Sequence, residues 1–197
     1  MTGVRSKKRT VICAACLFFI FMCACGNAEY SGTTVVFEKD GSILLHIQEE
    51  FDESLYDYDE LCRMNEQEVA SYNNSGDSKE VEIKDSSISD NVVSIDIAYA
   101  HDGAYYDMNG SVIFWGDCKT ARSAGYNLVG KVKSTSDGKT LDQKTWKDMS
   151  GEKVAVVSEP VDVRLPGDIL YIGEGLTLTG KNSAKAEEGG LRYIICK

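Results

Sequence analysis

The densest group of chemically capable side chains is EEFDESLYDYDE, residues 49–60, which puts Glu49, Glu50, Asp52, Glu53, Asp57, Asp59 and Glu60 within twelve residues. A hard cation such as Ca²⁺ needs six to eight oxygens converging on one point, which makes Asp52, Glu53, Asp57 and Asp59 the candidate metal ligands. The EF-hand order, with its central Gly and closing Glu, is absent. Acids at the start of a helix also complement its macrodipole. The stretch therefore reads first as a helix start, with a cation site as the rival reading.

The chain has two histidines, His46 and His101. His46 lies in the apolar segment ILLHIQEEF and shares a strand face with Leu44 and Gln48. His101 ends a strand beside Asp102. A carboxylate can tune a histidine as a general base, but sequence neighbours at a strand end point to different sides. No nucleophile elbow or HExxH helix accompanies either histidine. Cys118 follows a Gly-Asp step, 17 residues after His101, and the two would be the minimum for a thiol hydrolase. "GDSK" at 76–79 and "GEGLTLTG" at 173–180 lack the spacing of phosphate loops. No catalytic residue is assigned, and no cofactor is expected.

Tyr99, Tyr105, Tyr106, Phe114 and Trp115 fall within 17 residues. Tyr105, Tyr106 and Trp115 are the candidate binding residues if they stand on an exposed face, although aromatics in strands more often fill a core.

The elements that must position these groups read as follows. TTVVFE (33–38) and ILLHIQEEF (43–51) flank KDGS, where Asp40-Gly41 signals a type I′ hairpin with positive φ at both central residues. Asp57 and Glu60 have capping spacing for a helix whose face carries Tyr58, Leu61, Cys62, Val69 and Tyr72, with Gly76 as its stop. EVEIK (80–84) and VVSIDIAYA (92–100), joined through Asp90-Asn91, read as strands. The second alternates Val93, Ile95, Ile97 and Tyr99 against Ser94 and Asp96. A helical turn around GAYYDM precedes the strand SVIFWG (111–116). A short helix at 117–125, a strand at 127–133 and a polar loop with one helical turn near Trp146 come next. KVAVVS, VDVRL, DILYIG, LTLTG and LRYIIC are strands, and KNSAKAEEGG is a flexible connection. The expected fold class is α+β: an antiparallel sheet with one main helix across a face over residues 33–116, followed by a β-rich C-terminal part over 117–197, either a second small unit or a completion of the first sheet.

The start of the chain reads as an address. MTGVRSKKRT carries Arg5, Lys7, Lys8 and Arg9 with no acid, and Val11 to Ala24 follows without a charge, the n-region and h-region of a secretory signal. Fourteen helical residues span about 21 Å against a hydrocarbon core of about 30 Å, which argues against a permanent span. Met22, Cys23, Ala24, Cys25 and Gly26 then resemble the lipobox of bacterial lipoproteins. The resemblance implies a signal peptide of residues 1–24, a diacylglyceryl group on Cys25, and a short tether over residues 25–32. Met22 stands where Leu is usual. Cys23 would follow bulky Met22, and Cys16 would leave too short an h-region. The body is similar to uncharacterised lipoproteins of Gram-positive anaerobes in FEKDGSI, YDYDEL and VSEPVDVRLPGDILYI, a likeness that implies no particular activity.

The charge agrees with such a destination. The chain carries a formal net charge of −10, and losing residues 1–24 lowers Lys plus Arg from 21 to 17 against 31 acids, a net of −14. A phosphate backbone requires a basic face, so no nucleic-acid partner is expected. Beyond the signal, Cys62, Cys118 and Cys196 are widely spaced and odd in number, without a CxxC knuckle. They read best as small buried hydrophobes. The expectation is a lipid-anchored, extracytoplasmic, non-enzymatic binding or accessory domain on the outer face of the cell membrane, partnered by an envelope protein or wall polymer. The alternative is a small envelope hydrolase.

Overall fold

The computed structural model describes Tyr30, residues 32–76 and residues 78–197. The signal and the lipobox, Cys25 included, lie outside the described residues. The chain is mixed α+β, about 23% helix and 38% strand, in two sheets with four helices among the described residues.

The first sheet begins with β1 (Thr34–Phe37) and β2 (Ile43–Glu50), a hairpin as expected. Its turn differs from expectation: Gly41 alone takes a positive φ, +100°, and the Glu38 amide donates to the Ser42 carbonyl at 2.9 Å. Asp40 instead accepts from the Ser42 amide and hydroxyl, an Asx turn that leaves its own φ in the ordinary range. Positive φ at two successive non-glycine residues occurs at Asp90 and Asn91, +52° and +61°, between β3 (Val81–Ser89) and β4 (Val92–Tyr99). Asn and Asp tolerate this region better than other side-chain-bearing residues.

Between the hairpins runs α1 (Tyr58–Ser75), started by Asp57, whose side chain accepts from the Glu60 amide, and ended at Gly76. β3 is longer than EVEIK implied because its second half, DSSIS, is a polar edge strand with only alternate residues half-buried. Next come α2 (Asp102–Asn109), β5 (Ile113–Asp117), α3 (Cys118–Ser123), β6 (Val132–Ser134) and α4 (Gln143–Asp148). The chain finishes with β7 (Lys153–Val157), β8 (Asp162–Arg164), β9 (Ile169–Gly173), β10 (Leu176–Leu178), β11 (Ser183–Ala186) and β12 (Arg192–Cys196). β11 occupies the segment expected to be a flexible connection: Ala184 and Ala186 turn inward, where small side chains fit, while Ser183 and Lys185 face out.

The sheets run β10-β11-β8-β1-β2-β4-β3 and β5-β7-β12-β9-β6. β1 and β8 pair parallel, and the other pairings are antiparallel. Strands from both expected parts therefore share each sheet: β8, β10 and β11 extend the sheet of β1–β4, and β5 joins the C-terminal strands. One apolar core, with Val35, Leu45, Ile97 and Val163 from the first sheet and Ile113, Ala155 and Ile194 from the second, lies between the sheets. A second, with Val154, Val156 and Ile195 against Ala121, Leu128 and Trp146, lies on the far face of the five-stranded sheet. Both faces of that sheet are thus buried, which explains the near-continuous apolar runs KVAVV and YIIC. The seven-stranded sheet turns its other face outward, with His46, Asp96, Asp162, Arg164 and Lys185 among its side chains.

Candidate functional site

Register builds the outward face. Lys185, Asp162, Thr34, His46 and Asp96 stand opposite one another in a single row across β11, β8, β1, β2 and β4. The next row inward from the strand ends, Ala184, Val163, Val35, Leu45 and Ile97, points to the core. The row after that, Ser183, Arg164, Val36, Leu44 and Ala98, points outward again. The period of two along each strand thus alternates outward and core-facing rows; the row from Lys185 to Asp96 is polar, while the next outward row is apolar at Val36, Leu44 and Ala98.

At the centre of this face His46 Nδ1 lies 2.6 Å from Asp96 Oδ1. The ring of Tyr30 stacks on the imidazole with centroids 4.2 Å apart. The Arg164 guanidinium lies 4.9 Å from the same tyrosine ring. The Thr34 hydroxyl donates to the Gly32 carbonyl at 2.9 Å, which fixes the chain just after Tyr30. Burial raises the Tyr30 phenol above its ordinary pKa, and the guanidinium opposes that rise. Beside Tyr30 opens a cleft of about 270 Å³ lined by Thr34, Asp162, Arg164, Ser183 and Lys185.

No protein-family model, curated protein or solved structure matches this chain.

The residues expected to do chemistry are placed elsewhere and do not converge. Asp52 accepts from the Ser54 amide and hydroxyl, and Asp57 caps α1. Glu53 and Asp59 are exposed. These acids line open surface hollows, and among the described residues no three His, Cys, Asp or Glu side chains are placed to hold a metal ion. His101 caps α2, its Nδ1 accepting from the Ala104 amide at 3.1 Å while Nε2 faces Glu80 Oε2 at 3.4 Å. Cys118, the first residue of α3, is wholly buried, and burial pushes its thiol up to about 11. A nucleophilic cysteine requires the opposite environment.

Of the aromatic candidates, Tyr105 is 1% exposed and Trp115 is 8% exposed. The Tyr105 hydroxyl donates to Glu159 Oε2 at 2.5 Å, and Trp115 Nε1 donates to the Glu38 carbonyl at 2.8 Å. Both rings are core, and neither presents a face to a ligand. Tyr106 stands half-exposed on α2.

Sequence reasoning missed Tyr30, Asp96, Arg164 and Lys185 as a group. His46 and Asp96 are 50 residues apart, and only the register of β2 against β4 brings them together. One signal was available: in a half-buried strand His46 and Asp96 each fall on a polar face, and a buried polar row needs partners.

Proposed function

We propose that this chain is a lipid-anchored extracytoplasmic protein, attached through Cys25, that acts as a non-enzymatic binding or accessory domain at the bacterial cell envelope. The observation that carries the reading is the seat of Tyr30. This residue lies five positions after Cys25 and rests on His46 and beside Arg164 on the outward face of the seven-stranded sheet. Five residues reach at most about 18 Å when extended. A diacylated Cys25 would hold that face toward the bilayer, since two acyl chains anchor stably where one is marginal.

A binding role is supported by the separation of the candidate catalytic groups. His101 serves as a helix cap and Cys118 as core, while the outward face gathers charged and hydroxyl side chains around a cleft. The partner on this reading is an envelope component within reach of the tether.

Metabolic labelling with a fatty-acid analogue tests the anchor. The wild-type chain should take up label and stay with membranes, and Cys25→Ala should do neither. A Cys25→Ala chain that still labels and remains membrane-bound overturns the proposal.

A further inference from the structure

We propose that the cleft beside Tyr30 binds a polyol phosphate, with Arg164 and Lys185 holding the phosphate and Asp162 accepting from a ligand hydroxyl. The inference deepens the reading above and rests on it only for where the ligand is found.

Charge is the first argument. Acids outnumber bases 31 to 21 in this chain, yet the cleft is lined by two cations and one carboxylate. The Arg164 guanidinium contacts the Tyr30 ring, and among the described residues no salt bridge or side-chain hydrogen bond engages it. Guanidinium carries five donors in a fixed fork and stays charged at all relevant pH. Here that fork is half-buried and held in place by an aromatic face. Lys185 stands across the ladder from Asp162 and pairs with the exposed Glu187 at 3.9 Å, the long limit of an ion pair.

Geometry is the second. Arg164 pairs with Ser183, and Asp162 pairs with Lys185, so Arg164 and Lys185 are diagonal neighbours on antiparallel strands. Such residues have Cα atoms about 7–8 Å apart, and two long cationic side chains at that spacing address different oxygens of one tetrahedral anion. A planar carboxylate is matched by the arginine fork alone, which leaves the lysine unused.

The remaining lining selects the rest of the ligand. Asp162 would repel a bare phosphate, but a carboxylate accepts from a hydroxyl, and Ser183 and Thr179 add hydroxyl groups at the cleft wall. A phosphate bearing neighbouring hydroxyls satisfies both sets. The same chemistry is offered by a phospholipid headgroup and by a soluble or polymeric polyol phosphate.

Calorimetric titration of the full chain in neutral detergent micelles with sn-glycerol 3-phosphate is the test, with inorganic phosphate, glycerol and glycerate as comparison ligands. The expected result is saturable binding of glycerol phosphate that weakens as salt is raised. Arg164→Gln and Lys185→Gln should each weaken it by about tenfold or more, the loss of one charge-assisted hydrogen bond. Lys185 is exposed, so Lys185→Gln should keep the wild-type melting temperature and report on binding alone. Absence of saturable binding, wild-type affinity in both variants, or equal affinity for inorganic phosphate or glycerate overturns the proposal. Repeating the titration in phosphatidylcholine discs with and without phosphatidylglycerol separates the sources. Competition by phosphatidylglycerol assigns the headgroup, and its absence assigns the soluble or polymeric ligand; both sustain the site. Binding by a Cys25→Ala chain that stays at the membrane would overturn the anchor alone. A released Cys25→Ala chain together with no binding would overturn this inference alone.

Discussion

Nδ1 of His46 stands 2.6 Å from Oδ1 of Asp96, directly across the β2–β4 ladder, in a row that continues through Thr34 to Asp162 and Lys185. The histidine side chain is 11% exposed and the aspartate 27%. Removing one partner leaves a largely buried polar group unsatisfied, which costs about 1–3 kcal/mol. Asp96→Ala should therefore lower the urea unfolding free energy by about that amount. The Asp96→Ala/His46→Ala double variant should lose less than the sum of the two single changes. Tyr30 loses its stacking partner only when His46 is removed, so limited proteolysis ahead of β1 should quicken in the double variant and in His46→Ala.

Tyr105 links α2 to the loop after β7. Its hydroxyl and that of Ser111 donate to the two oxygens of Glu159, at 2.5 and 2.8 Å, and the buried phenol's pKa is raised far above its ordinary value by burial and by Glu159. Tyr105→Phe leaves the carboxylate short of a donor and should cost about 1–3 kcal/mol. Tyr106→Phe, on the exposed neighbouring ring, should be nearly silent. Paired denaturation curves make the comparison.

Burial pushes the Cys118 thiol up to about 11 and the Cys196 thiol up to about 12. At pH 8 both remain thiols in the folded chain. Of Cys62, Cys118 and Cys196, half-buried Cys62 should alkylate first, with the other two modified only through unfolding. Mass mapping over a time course reads the order. A raised pKa also has a stability sign: the contribution is complete below the ordinary thiol value of 9.0 and is lost as pH rises through about 11.

At the acid end the sign reverses. Hydrogen bonds from Ser42 and Ser54 hold Asp40 and Asp52 below the usual carboxylate range, and those from Thr120 and Thr145 do the same for Asp117 and Asp142. The hydrogen bond to Lys139 takes Asp137 down to about 2. The stability these groups contribute is complete above about pH 4. It is lost as pH falls through the lowered values, toward about 2 for Asp137. Urea midpoints should hold from pH 7 to about 5 and fall below about 4, and Asp142→Asn should reduce the drop.

What was legible in the sequence was local. The β1–β2 hairpin, the Asp57 cap and the alternation of β4 each depend on residues a few positions apart, where propensity and period act directly. What was illegible depends on register and layering. The second half of β3 and all of β11 are polar at alternate positions or short, and the strands beside them, not their own composition, hold them in the sheet. Asp90-Asn91, rather than Asp40-Gly41, takes two positive φ values because the Asx turn at Asp40 satisfies its backbone differently. Tyr105 and Trp115 matched the composition of a binding surface, but α2 and the five-stranded sheet fold them inward. The cleft at Arg164 joins β8 and β11 to Tyr30 and Thr34, roughly 130 residues earlier in the chain, and no short window contains it.

The account's central claim is that the anchored chain presents its Tyr30 face to the bilayer. The acylated chain, in a Cys62→Ser background, would carry a fluorophore either at Lys185→Cys on the outward face or at Lys147→Cys on α4, beyond the five-stranded sheet. Quenching by headgroup-nitroxide lipid in vesicles is then compared. The account predicts clearly stronger quenching at position 185 than at position 147. Equal quenching, or stronger quenching at 147, would contradict it.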